Sequence, residues 1–141
     1  SKGPGREYPD QGNRHLRPGQ RSRQRPASNP PTSGPHTPVP VRRDGAPISD
    51  DQLLHALELG DVVLLYGTPA PPPGLRALAA DVAGGRFDPV LADGGQAVIL
   101  ARRPGTRGIV AAAWRHLLRA PASADPALRE FADYWLGRGA G

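Results

Sequence analysis

A break near Ile48 constrains this chain more than any other feature, because the residues before it cannot build a core. Residues 1–48 hold ten prolines, and their apolar side chains are only Tyr8, Leu16, Ala27, Val39, Val41, Ala46 and Ile48. Burying so little surface cannot offset the entropy of ordering the backbone. Charge divides at the same place. Lys2 and eight arginines face Glu7, Asp10 and Asp44, a net of +6, whereas residues 49–141 carry nine arginines against ten acids, a net of −1. The expected organisation is a basic flexible tail or linker over 1–28, opening on the linker-like SKGPG, then one domain over 29–141 whose 29–48 segment wraps the core. With no cysteine in the chain, disulfides, thiolate metal sites and cysteine nucleophiles are excluded. No apolar run reaches the ~18 residues a membrane span needs.

The second part carries the regular elements. Ser49 followed by Gln52, just ahead of Leu53 and Leu54, is a capping-box pattern that predicts a helix from about Asp50 to Leu59, stopped by Gly60. Leu53, Leu54 and Leu57 form its apolar stripe, with Asp51, His55, Glu58 and Leu59 on the other side. Val62 to Tyr66 reads as a buried strand, and Leu75, Leu78, Ala79 and Val82 as one face of a second helix. A loop containing Asp88-Pro89 and Gly94-Gly95 precedes an apolar strand from Ala97 to Ala101. Arg102 to Gly108 reads as a hairpin connection into Ile109 to Trp114, and Asp125-Pro126 caps a last helix bearing Leu128, Phe131, Ala132 and Trp135 on one face. The order helix-strand-helix-strand-strand-helix predicts an α+β fold with a small three-stranded mixed sheet, an order shared by thioredoxin-like folds, after an irregular Pro/Arg-rich segment.

Enzymatic signatures are missing. Ser33 lies near His36 in sequence, but no acid is placed to orient that histidine and no nucleophile elbow surrounds the serine. Gly84-Gly85 and Gly94-Gly95 lack a P-loop lysine and a dinucleotide fingerprint. The expectation is a protein that is not an enzyme. Arg14, Arg17, Arg21, Arg23 and Arg25 direct attention to anionic partners, lipid headgroups or cell-wall polymers, with a solvated linker as the plainer reading. Tyr8 is the only aromatic residue among these charges, which argues against nucleic acid.

Asn29-Pro-Pro-Thr-Ser-Gly-Pro-His36, read with Leu54-His55-Ala-Leu-Glu58-Leu-Gly60, resembles the domain of unknown function 3105 family. Tyr8-Pro-Asp-Gln-Gly-Asn-Arg-His15-Leu upstream is similar to the family's lead-in. Downstream, Val98 to Pro104, Ala113-Trp114 and the Asp125 to Trp135 helix are similar to its later blocks. The resemblance implies a bacterial envelope protein, exported and often anchored by an upstream transmembrane helix, with an unidentified protein partner. It departs from the family where a second histidine of the helix is replaced by Leu59, where Arg42-Arg43-Asp44-Gly45 replaces a tyrosine-bearing segment, and at His116. In the family pattern, histidines four apart on one helix face would chelate a transition metal. Here His15, His36 and His55 remain, with Glu58 either a fourth ligand or the acceptor that orients an imidazole. Such a set suits zinc or copper(II). The competing expectation is a structural or protein-interaction module without any metal, in which the segment packs across the helix and Leu59 fills the vacated place.

Overall fold

The computed structural model describes residues 3–141; Ser1 and Lys2, the first residues of the expected tail, lie outside the described residues. The elements are β1 (Arg6–Glu7), β2 (Ala46–Pro47), α1 (Asp50–Leu59), β3 (Val62–Tyr66), α2 (Leu75–Ala83), α3 (Pro89–Asp93), β4 (Val98–Arg102), β5 (Ile109–Ala113), β6 (His116–Ala120) and α4 (Pro126–Trp135). All six strands join one mixed sheet in the order β1-β6-β5-β3-β4-β2. The expected small three-stranded sheet, and the thioredoxin-like arrangement with it, is corrected to this broader one; the α+β class stands.

Three strands escaped the sequence pattern for physical reasons. β1 and β2 are two-residue edge ladders, too short to show any period. β6 is joined to β5 through Trp114-Arg115, and the turn places Arg115 at φ 66°, without the Asn-Gly or Asp-Gly signal that announces a two-residue hairpin. The unusual backbone is held from outside: Arg115 N–H donates to the Thr32 carbonyl at 3.0 Å, and the Arg115 carbonyl accepts from Tyr8 N–H at 2.8 Å. The 103–108 connection is also not a hairpin. β4 is parallel to β3 on one edge and to β2 on the other, so the chain crosses the end of β3 at Gly67 and β5 pairs antiparallel with the far side of β3. Any Cβ on Gly67 would collide with the backbone of Thr106 in that crossing.

β3 is central and buried along its whole length. Its alternation sends Val62, Leu64 and Tyr66 into a core with α2 and α4, and Val63 and Leu65 into a second core under α1. α1 forms where the sequence predicts it. Ser49 Oγ accepts the Gln52 N–H, Gln52 Oε1 accepts the Ser49 N–H, and Gly60 ends the helix at φ 119°. Its Leu53, Leu54, Ala56 and Leu57 are spent on the sheet, which leaves His55 and Glu58 facing away from it.

Asp61, immediately after α1, is buried at 1% exposure and ties the start of β3 to the approach to β4 by accepting the Ala97 N–H at 2.9 Å. Burial pushes its carboxyl up to about 7, helped by the charge of Asp93 and opposed by the Ala97 N–H. The folded value is raised, so the associated stability is fully present below about pH 4, the unfolded value, and is lost as pH rises through about 7. Asp61→Asn keeps an acceptor for Ala97. It is expected to flatten this decline, which is on the order of a few kcal/mol in the wild type, in urea unfolding measured from pH 4 to 8. An unchanged pH profile would show that Asp61 is not its source.

Candidate metal centre

Two separate stretches of chain meet on the outer face of α1. Residues near His15 and His36 run alongside each other as a short parallel bridge, with Leu16 N–H donating to the His36 carbonyl at 2.8 Å and His36 N–H to the Arg14 carbonyl at 3.1 Å. Gly34 N–H to the Gly12 carbonyl, 2.7 Å, extends the pairing. Extended backbone alternates its side chains, so His15 and His36 turn toward α1 while their neighbours turn elsewhere. α1 presents His55 and Glu58 one turn apart. Beneath the bridge, Leu16, Thr32 and Ser33 are buried, and His36 is wholly inaccessible.

The donor atoms of His15, His36, His55 and Glu58 all lie within 4.8 Å of one another. Glu58 Oε1 is the hub: His15 Nε2 stands 2.8 Å from it, His36 Nε2 3.0 Å and His55 Nδ1 3.6 Å. The last distance is too long for a hydrogen bond, and His55 Nδ1 is buried without a partner. His36 Nδ1 lies 2.9 Å from the Gly34 carbonyl. A carbonyl can only accept, so Nδ1 carries the proton and, in the neutral ring, the Nε2 lone pair aims at Glu58. Lone pairs of imidazole and carboxylate so close to one another require a cation between them, either a proton or a metal ion.

Electrostatics favour the neutral imidazole at His55 and the ionised carboxylate at Glu58. Burial lowers the His55 imidazole below its ordinary value, with His36 and His15 acting the same way and the Glu58 charge opposing them. Burial alone would raise Glu58, but hydrogen bonding and charge from His15, then from His36, outweigh it and hold the carboxyl below its usual range. A neutral imidazole and an ionised carboxylate are what metal ligation demands. The exposed member is His15, with 46% of its side chain accessible, against 17% and 16% for His55 and Glu58.

Each residue singled out in the sequence can now be placed. His15, His36, His55 and Glu58 are brought together. Leu59, expected to fill the place of the family's second histidine, is 37% exposed, and the four donors converge without it. His116 is on the other side of the sheet, stacked on Trp135 at 3.8 Å between ring centroids, with Nδ1 donating to the Trp114 carbonyl at 2.9 Å. Ser33 is not aimed at His36. Its hydroxyl donates to the Pro9 carbonyl at 3.2 Å and accepts the Gln11 N–H at 3.0 Å, fastening the two extended stretches together. Sequence reasoning missed that fastening role and the orienting role of the Gly34 carbonyl. The Ser33 bonds span more than twenty residues and leave no local signal, and the Gly34 acceptor is a backbone carbonyl, which residue type does not mark.

The family model described as Protein of unknown function (DUF3105) matches residues 20–139, and the chain belongs to that family. No curated protein and no solved structure matches it.

Proposed function

We propose that this member of the family is a non-enzymatic metal-binding module of the bacterial envelope, taking one zinc or copper(II) ion between His15, His36, His55 and Glu58. The observation that carries the reading is the convergence of four donors from three segments within 4.8 Å. The protonated Nδ1 of His36 and the unpartnered Nδ1 of His55 strengthen it, because each leaves a lone pair or an unsatisfied nitrogen directed inward. Three nitrogens and one carboxylate oxygen fill the four positions of a tetrahedral zinc site, the closed arrangement of a structural rather than a catalytic ion. For copper(II) the imidazoles serve equally well. Export to the outer side of the membrane, behind an upstream anchor, belongs to the same proposal and is supported by the family resemblance. Among the described residues, no helix is long and apolar enough to cross a membrane.

One observation favours the second reading, a module without metal. The Glu58 carboxylate reaches hydrogen-bonding distance of both His15 and His36, so a protonated imidazole could pin the segment to α1 unaided. X-ray absorption of the zinc-loaded protein separates the two. The metal reading expects about three nitrogen neighbours near 2.0–2.1 Å and one carboxylate oxygen, with one imidazole fewer in His55→Ala. A spectrum dominated by water oxygens, indifferent to that substitution, would leave the hydrogen-bonded module.

A further inference from the structure

The arginines of residues 14–25 sit on a fastened backbone and yet make no ion pair among the described residues. Between Asp10 and Asp44 the chain contains Arg14, Arg17, Arg21, Arg23, Arg25, Arg42 and Arg43 and no acid. Arg14 to Arg25 are all exposed, and none of these five makes an ion pair among the described residues, whereas Arg42, Arg76, Arg103, Arg115 and Arg129 each do. The backbone that carries them is fixed. Gln11 Nε2 donates to the Arg25 carbonyl at 2.8 Å and Gln11 Oε1 accepts the Ala27 N–H at 2.9 Å. Arg17 and Gln20 close a turn on each other, Arg17 N–H to Gln20 Oε1 at 3.0 Å and Gln20 N–H to the Arg17 carbonyl at 2.9 Å. Beneath this loop lies a cavity of about 530 Å³ whose wall includes Arg21, Gln24, Asp50 and Asp51. Neither acid forms an ion pair with the loop arginines: Asp50 is engaged by Arg103, and Asp51 accepts the Thr37 N–H at 3.0 Å.

A solvated linker has no reason to be fastened by its backbone. We propose that the arginine face of residues 14–25 is a docking surface for a linear polyanion of repeated phosphate groups. Fixed backbone lowers the ordering cost of binding, and guanidinium groups pair with phosphate through two parallel hydrogen bonds. The exposed residues between the arginines are His15, Pro18, Gly19, Gln20 and Gln24, with no aliphatic wedge, so nothing here inserts into a lipid layer. The one aromatic ring among them, His15, is hydrogen-bonded to Glu58 on α1, which leaves no free platform for stacking on a base. What remains is a cluster of exposed positive charges on a fastened loop, the complement of a charged chain.

The test is calorimetric titration of the full chain with inorganic polyphosphate over a range of salt. Binding is expected to weaken steadily as salt rises, through release of counterions. Arg23→Gln with Arg25→Gln should lose at least about tenfold in affinity and make the salt dependence shallower. Arg86→Gln with Arg107→Gln removes the same charge from the exposed surface of the domain elsewhere and should change affinity less than about twofold. Both pairs are exposed, so the unfolding midpoint should hold in each. Equal losses from the two pairs would overturn the proposal, since net charge alone would then be at work. So would capture by phosphatidylglycerol vesicles without binding to polyphosphate, or an oligonucleotide preferred over polyphosphate of equal phosphate number. The outcome is independent of whether the histidine site takes a metal.

Discussion

Phe131→Ala is expected to lower the unfolding free energy by about 3–5 kcal/mol. Phe131 is fully buried on α4 and shares its core with Leu128, Ala132 and Trp135 from the same helix and Val62, Leu64 and Tyr66 from β3. Two neighbours make the site slow to collapse around a smaller side chain. Gly5 packs so closely that a Cβ there would stand 2.7 Å from the Phe131 ring, and Trp135 Nε1 donates to the Pro4 carbonyl at 2.9 Å. The helix thus holds the sheet on one side and residues 3–5 on the other, and the void left by alanine would be walled by fixed backbone. Against a total stability of about 5–15 kcal/mol for a domain of ordinary size, this is about a fifth or more. Urea unfolding of the purified variant measures it directly. A loss under about 1 kcal/mol would mean that α4 is peripheral and that the core has been placed wrongly.

The elements behind that prediction were legible because each carried its own local signal. Asp125-Pro126 supplies a cap and a first helical position, and the 3.6-residue spacing of Leu128, Phe131, Ala132 and Trp135 marks the buried face. Ser49 and Gln52 did the same for α1. Val62 to Tyr66 was readable as a strand because it is buried on both faces and so is apolar without interruption. The width of the sheet was not legible. β6 alternates His116, Leu117, Leu118 and Arg119 behind a turn of atypical composition. β5 leaves β4 for the far edge of β3, a choice set by β2 already occupying the outer edge of β4. Such competition among strands is a property of the assembled sheet and has no trace in any one segment. For the same reason β1 could not be foreseen: Arg6 and Glu7 are unremarkable until they lie against Leu117 and His116.

His36→Ala is expected to weaken zinc binding by at least about a hundredfold, equivalent to about 2.8 kcal/mol. His36 is the one candidate ligand with no solvent access, and its ring is fixed at both ends, by the Gly34 carbonyl at 2.9 Å and by Glu58 at 3.0 Å. Losing it removes a nitrogen donor held in place before the metal arrives, and it leaves Glu58 with His15 as its only hydrogen-bonded imidazole. His15→Ala should cost less, because that side chain is largely exposed and water can take its place. The ranking of the two variants follows from burial and orientation rather than from the identity of the residue, which is the same in both.

The candidate site was half legible. His55 and Glu58 stand one turn apart on a helix whose other face is plainly apolar, so their shared direction followed from periodicity. His36 drew attention through the rigid residues around it and the family resemblance. His15 had its residue type and the family's lead-in to recommend it but no local geometry, since its partner in the bridge is 21 positions away. The basic segment's composition offers no core and so predicts a tail. In the structure, hydrogen bonds from Gln11, Ser33 and the bridge backbone fasten it, and these leave no mark in a hydrophobic pattern.

The central claim is that one ion ties His15, His36, His55 and Glu58 together, and calorimetric titration of zinc into the wild type and His36→Ala side by side tests it most directly. The account predicts one ion per wild-type chain and an affinity at least about a hundredfold weaker in the variant, with the variant still folded by circular dichroism. Equal affinity in the two proteins, or no stoichiometric binding in the wild type, would contradict it.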